Sequence, residues 1–336
     1  MKKLTPFRVI GRIFTVILLL VLCLLVFLIC TVATVFNGPS DTVRNLLVSS
    51  LMETSAMKFV PHAFFTSEEI EEITKGNTEA YDAYIASLDD VEIIIPPKNE
   101  DGASASTDGT GITIEDVYGE TYCGKMMIID DPTRISIEVI DSFSETGSGF
   151  MLSELANAEG VVAAFNGGGF LDNLGTGNGG MPMGVTIKDG KLLADYAWGY
   201  PTTIGFDKDH KLIVGNFTGQ QALDAGIVQA CSFGPVLVKN GVVAPISGSG
   251  GGLNPRTAIG QRADGAILVL TVDGRQPHSL GATYTDIAEI MEEYEAVNAA
   301  NLDGGSSSML FYEGELVNSL GSAVGERRIP TAFIVR

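Results

Sequence analysis

Residues 254–309 read NPRTAIGQRADGAILVLTVDGRQPHSLGATYTDIAEIMEEYEAVNAANLDGGSSSM. The apolar run 266–272, rich in β-branched residues, ends in Asp273-Gly274-Arg275. After a loop, Ile287, Ile290, Met291 and Tyr294 recur at helical spacing within 284–296. Thr283 stands where it can cap that helix, with Asp286 three residues on as an acidic relative of the capping box. A second apolar run, 297–302, ends in Asp303-Gly304-Gly305. Strand, loop, helix, strand is the order of a βαβ unit, so the two strands are expected to lie parallel and close together. Asp273 and Asp303 would then emerge at the carboxyl ends of their strands, where open α/β sheets bind ligands.

Two aspartates and two arginines, Arg256 and Arg275, thus fall in one stretch. Paired carboxylates divide acid and base work when their surroundings push their pKa values apart. In glycoside hydrolysis one protonates the leaving oxygen while the other activates water or attacks the sugar carbon. Arginine suits a phosphate, because its planar fork binds in two places and keeps its charge. The run Gly304-Gly305-Ser306-Ser307 offers backbone N–H groups and hydroxyls to an oxyanion. Ser307 as a nucleophile would need a histidine base, and His278 is the one nearby in sequence. Other Asp-Gly pairs, at Asp189 and Asp264, read as plain turns, and Glu289, Glu292, Glu293 and Glu295 as a solvated helix face.

Working outward, 161–165 is an apolar strand that breaks at Asn166-Gly167-Gly168-Gly169, a third strand end with a polar side chain. Three consecutive glycines let a backbone approach a ligand closely or take positive φ. Strands are also expected at 125–130, 134–140 and 329–335, with hairpins over 184–193, 203–214 and 231–243 and at Glu313-Gly314. A short helix fits 150–158, and 171–184 is a glycine-rich loop long enough to shape a pocket. The expected fold is therefore a mixed α/β or α+β domain, strand-rich with few helices, spanning 114–336.

What precedes the domain is different in character. Residues 13–36 carry no charge and are long enough to cross a bilayer as a helix. Lys2, Lys3, Arg8 and Arg12 lie before them with no acidic residue, which puts 1–12 in the cytoplasm and the rest outside. The run exceeds a signal-peptide core, and Thr34-Val35-Phe36 is a poor cleavage site, so an uncleaved anchor is expected. Apolar residues at helical spacing within 40–60 and 67–88 predict short stalk helices over 37–95, and 96–113 reads as a flexible linker. The chain carries 21 basic and 41 acidic residues, and four of the basic ones precede the membrane run. So acidic an exterior repels nucleic acid but not a phosphate met by basic groups gathered in a pocket. Cys123 and Cys231 lie outside the membrane run and would be free to form a disulfide there. No Cys-x-x-Cys occurs and the three histidines are scattered, which argues against a zinc site of the usual kind.

Asn166-Gly167-Gly168, Arg256-Thr257-Ala258-Ile259-Gly260, Asp273-Gly274-Arg275-Gln276-Pro277 and Asn301-Leu302-Asp303-Gly304-Gly305-Ser306-Ser307 stand in an order and spacing that resembles the phosphodiester glycosidase family. The likeness covers roughly 120–336 and extends to Arg327 and the closing strand. Gly169 stands where an aromatic is usual, and Ser306 where a third glycine is common. The resemblance implies hydrolysis of a sugar-1-phosphodiester, releasing the sugar and leaving a phosphomonoester. Asp273 and Asp303 would do acid/base or nucleophilic work, Arg256 and Arg275 would hold the phosphate, and Asn166 would orient sugar or phosphate. With an anchor, the substrate would be a cell-envelope or exopolysaccharide glycan. Two alternatives stand beside this: a non-catalytic glycan-binding module, and a phosphodiesterase whose aspartates hold Mg²⁺ or Ca²⁺.

Overall fold

The computed structural model describes residues 6–75, 81, 83–85, 110–172, 175–196, 201–246, 250–322 and 325–336. Lys2, Lys3, most of the expected linker (96–109), residues 86–88 of the second helical pattern and Ser247 to Ser249 lie outside the described residues. The first helix, α1 (Pro6–Phe36), contains a span long and apolar enough to cross a membrane, Ile10–Phe36. It is followed by α2 (Asp41–Met52), α3 (Phe59–His62) and α4 (Ser67–Lys75). Phe36, at the end of α1, is buried against Phe64 and Phe65, each 5.1 Å away between ring centres. The helical region does not stand apart from the domain. The Tyr84 hydroxyl donates to the Val242 carbonyl (3.0 Å), and Tyr84 and Ile85 join the main core.

Seventeen described strands form three sheets. The first runs β1 (Ile112–Tyr118), β2 (Cys123–Ile129), β13 (Ile267–Val272), β12 (Arg256–Arg262), β14 (Ala296–Leu302), β10 (Val236–Lys239), β11 (Val242–Val243). The second runs β16 (Glu315–Leu316), β15 (Leu310–Tyr312), β4 (Ala163–Asn166), β17 (Thr331–Val335), β3 (Ile135–Val139). The third runs β6 (Lys191–Asp195), β5 (Val185–Lys188), β9 (Ile227–Phe233), β7 (Thr202–Asp207), β8 (Leu212–Asn216). With three short helices, α5 (Leu152–Ala156), α6 (Gly219–Asp224) and α7 (Tyr284–Glu293), this is the strand-rich mixed fold expected.

The expected βαβ pairing is corrected. β13 and β14 run in the same direction, but β12 lies between them, antiparallel to both. The cause is local: Gly265, at φ 89°, lets the chain reverse after β12, so β13 pairs with its neighbour in sequence and β14 takes the other edge. Every strand pairing among the described residues is antiparallel. The two aspartates still leave the sheet at the same rim, because parallel direction survives the inserted strand. The structure also adds β1, a strand before the first one expected, with Ile112 buried at its start.

β13 is buried on both faces, which explains its unbroken apolar run. One face packs on α7 through Ile287, Ile290 and Met291. Thr283 and Asp286 cap α7 reciprocally, the box expected from sequence. The other face joins a core shared by all three sheets. At its centre Phe333 stacks on Phe165 at 5.2 Å and meets Phe206 edge-on at 6.2 Å. Phe333→Ala is expected to cost about 3–5 kcal/mol of stability, read as an earlier midpoint in chemical denaturation followed by circular dichroism.

Candidate active site

The starts and ends of β12, β13 and β14 deliver side chains to a cavity of about 300 Å³. Arg256, Arg275, Asp303, Gly304, Gly305, Ser306, Ser307 and Arg327 all line it, as does Asn254. Glu53, Thr54, Ser55 and Ala56, just past α2, form part of the wall.

Arg256 is almost wholly buried, and the protein fixes its plane. Nε donates to the Ala282 carbonyl (3.0 Å), Nη2 donates to those of Gly251 (2.9 Å) and Gly252 (3.0 Å), and the Tyr284 ring lies 4.0 Å from Cζ. That leaves Nη1 facing the Glu53 carboxylate at 3.9 Å. Arg275 reaches the cavity from a backbone at φ 60°, and its Nη2 donates to Asn254 Oδ1 and Thr54 Oγ1, both at 2.9 Å. Burial and the neighbouring Arg256 charge push the Arg275 guanidinium below its ordinary value, opposed by Asp303 and Glu53.

Asp303 accepts the Gly304 N–H (3.0 Å) and the Ser307 hydroxyl, while Asn166 Nδ2 donates to its backbone carbonyl (2.7 Å). Burial nevertheless dominates and pushes its carboxyl up to about 7, against the pull of Ser307, Arg327 and Gly304. Its companion in the cavity is Asp172, from the glycine-rich loop. Burial alone would raise Asp172 too. The two-pronged grip of Arg327 (3.0 Å to each oxygen) and bonds from Gly177 and Ser55 carry it below the usual carboxylate range instead. Arg327 is itself laid over the Phe170 ring, 5.0 Å from its centre. Two carboxylates with pKa values driven apart share one pocket. They are Asp303 and Asp172, not Asp303 and Asp273.

Asp273 turns away from the cavity. Ser319 N–H donates to its Oδ1 (2.8 Å), while His278 Nε2 lies 3.3 Å from Oδ2. His278 is therefore paired with Asp273 and not with Ser307. Asn166, expected to orient a ligand, is fully buried: its Oδ1 accepts the Thr257 hydroxyl (2.9 Å) and the Met309 N–H (3.0 Å). Thr257 is likewise spent inside the protein. Gly167 and Gly168 serve packing and neither takes positive φ. A Cβ on Gly167 would come within 2.7 Å of Thr331, and one on Gly168 within 2.6 Å of the Ser232 carbonyl. At Gly274 it would meet Pro255 at 2.6 Å. Cys123 and Cys231 are free thiols, and burial pushes Cys231 up to about 12. The sequence reading did not single out Asp172, Phe170, Tyr284 or Glu53. A loop aspartate and a helix-end glutamate carry no periodic signal.

A sequence profile of the phosphodiester glycosidase family matches residues 159–336. The SPbeta prophage-derived uncharacterized protein of Bacillus subtilis is 32% identical over 210 residues, 59% of this chain and 32% of that protein. The mouse N-acetylglucosamine-1-phosphodiester α-N-acetylglucosaminidase is 24% identical over 66% of this chain and 46% of its own length. The chain thus spans about a third to about half of these curated relatives. In fold it is similar to the catalytic domain of the zebrafish N-acetylglucosamine-1-phosphodiester α-N-acetylglucosaminidase, auto-inhibited by its pro-peptide. The TM-score is 0.59 at 22% identity, over 78% of this chain and 93% of that one.

Asp303 also sets a pH dependence of stability. A carboxyl raised on folding stays protonated while its unfolded counterpart ionises, so the unfolded state binds fewer protons and stability falls as pH rises from 3.8 to about 7. Asp303→Asn should flatten that part of the curve, measured as the denaturation midpoint at each pH.

Proposed function

This chain belongs to the phosphodiester glycosidase family, and we propose that it is a membrane-anchored extracytoplasmic hydrolase cleaving a sugar-1-phosphodiester in a cell-envelope or exopolysaccharide glycan. The observation that carries this reading is the meeting of Arg256, Arg275 and Asp303 in one cavity. A phosphodiester enters as an anion, and two guanidinium charges suit it, Arg256 presenting Nη1 from a plane already fixed by backbone carbonyls. Cleavage between sugar and oxygen expels a phosphomonoester, an anion the same arginines hold without a proton being supplied. The step that needs help is activation of water, and a carboxyl near pH 7 suits a general base. Asp303 takes that role, while Asp172, clamped by Arg327, stays ionised and can stabilise positive charge developing on the sugar. Three guanidinium groups around Asp303 favour an anion over Mg²⁺ or Ca²⁺ in this cavity.

The membrane reading has its own support. Phe36 is built into the helical cluster beyond the membrane span, which fits an anchor that is kept and not removed. Tail 1–12, span 13–36 and helical region 37–95 remain our division of the chain, while the expected boundary between linker 96–113 and domain 114–336 moves to Ile112, where β1 starts. The zebrafish relative is auto-inhibited by its pro-peptide, and we read residues 53–56 as an occupant of the same kind. Glu53 sets a carboxylate before Arg256, and Tyr284 donates its hydroxyl to that carboxylate at 3.1 Å. A substrate phosphate would displace it.

Incubation of the full chain with defined sugar-1-phosphodiesters should release free sugar, with ¹⁸O from water appearing in the sugar. Label in phosphate, or no release from any substrate, would overturn the reading. Asp303→Asn should lower kcat by about 10²–10⁴-fold, and the wild-type rate should climb with pH through about 7. Arg275→Ala is expected to lower kcat/KM by about 10²–10³-fold. Glu53→Ala should lower KM by up to about fivefold, because a part-exposed ion pair contributes about 0.2–1 kcal/mol.

A further inference from the structure

Asp273 left the cavity for a second cluster that the proposed reaction does not use. Cys123 Sγ, Asp273 Oδ2 and His278 Nε2 all lie within 4.8 Å of one another. Three separate pieces of chain deliver them. Cys123 opens β2, which pairs with β13, and the Asp273 N–H donates to the Cys123 carbonyl (2.9 Å) just past that ladder. The third piece is the turn after Asp273. Gln276 and Ser279 exchange backbone hydrogen bonds (3.0 and 3.1 Å), and the turn brings His278 back over the aspartate. Ser279 locks the arrangement, its hydroxyl donating to the Asp273 carbonyl (2.6 Å) and accepting the Cys123 N–H (3.2 Å).

The distances decide what the cluster can do. Asp273 Oδ1 is taken by Ser319 N–H (2.8 Å), with Asn318 Nδ2 at 3.5 Å, so the carboxylate is oriented from behind. Oδ2 faces Sγ at 4.0 Å and Nε2 at 3.3 Å, both long for hydrogen bonds. Thiol and imidazole converge on the same oxygen. A nucleophile–base–acid relay needs them in line, with the imidazole between thiol and carboxylate. A triangle of donor atoms suits a common cation. Ligands about tetrahedral zinc stand roughly 3.3–3.6 Å apart, given zinc bonds of about 2.0–2.3 Å. Small rotations of an exposed imidazole and a half-buried thiol close the difference.

We propose that Cys123, Asp273 and His278 form a binding site for a borderline-soft divalent cation of the Zn²⁺ type. Sulfur and imidazole donors select Zn²⁺ over Mg²⁺ or Ca²⁺, which take oxygen ligands. On binding, Cys123 gives its thiol proton to solvent and Sγ becomes a ligand. Asp273 binds as the carboxylate and His278 as neutral imidazole. The fourth position, on the exposed His278 side, is left to water. The site lies apart from the cavity that holds Asp303, so it stands independently of the proposed hydrolysis.

The full chain in detergent micelles, stripped with chelator and titrated with Zn²⁺ or Co²⁺, tests this. One ion per chain is expected, the Co²⁺ form showing a thiolate-to-cobalt charge-transfer band in the near ultraviolet. Cys123→Ser should abolish the band, and His278→Ala should weaken Zn²⁺ binding. Losing a ligand should cost at least what losing an outer partner does, roughly 10–100-fold. Zn²⁺ should also raise the thermal midpoint of the wild-type chain and not of either variant, which separates lost binding from lost fold. No stoichiometric binding by the wild type, or binding unchanged in either variant, would overturn the proposal.

Discussion

Asn166 is the fastening on which the rest depends. Wholly buried at the end of β4, its amide accepts from Thr257 on β12 and from Met309 ahead of β15, and donates to the carbonyl of Asp303. Two sheets are thereby pinned at one point, directly behind the cavity. Only a side chain carrying both donor and acceptor can do this; an aspartate there would face the Asp303 carbonyl without a proton to give. Leaving such buried groups unpaired costs about 1–3 kcal/mol each. The glycines that follow are tight against other neighbours: a Cβ on Gly167 would press on Thr331 of β17 in the same sheet, and one on Gly168 on Ser232 of β9 in the third sheet.

On that fixed floor the charges sort themselves. The protein as a whole is strongly acidic, at −20, yet the cavity gathers three arginines. One is committed to Asp172. Arg256 has most of its donors spent on backbone carbonyls, so its direction is set before any ligand arrives. Such preorganisation is what makes charge in a pocket effective, because little has to reorient when an anion binds. The segment after α2 answers this excess of positive charge from within the chain, through Glu53.

Much of this was legible from the strand ends. Arg275, Asp303 and the Gly304–Ser307 run follow apolar runs, Arg256 opens one, and a strand fixes where its end residues emerge. Periodicity also placed α7 and its cap, since both are local. What periodicity could not say is which way a side chain turns after the strand stops. Asp273 and Asp303 have the same sequence setting, and only tertiary packing sends one into the cavity and the other toward Cys123 and His278. Asn166 fails for a related reason: a polar residue at a strand end reads alike whether it serves a ligand or a seam. The strand at 257–261 is itself readable from sequence, but its place between β13 and β14 escaped because an antiparallel neighbour leaves the order strand–helix–strand unchanged. Asp172 and Glu53 reach the cavity through long-range contacts that no local pattern encodes.

The packing of the N-terminal helices has a practical corollary for anyone cutting the gene. The stretch matched by the family profile starts at residue 159, but the physical unit starts far earlier. Excision there would strip β1 and β2 from the outer edge of the first sheet and β3 from the second, baring long ladders of unpaired amides that invite aggregation. Excision after the helices would discard Tyr84 and Ile85 from the core and one side of the cavity. The smallest piece able to keep its shape therefore begins where α2 starts.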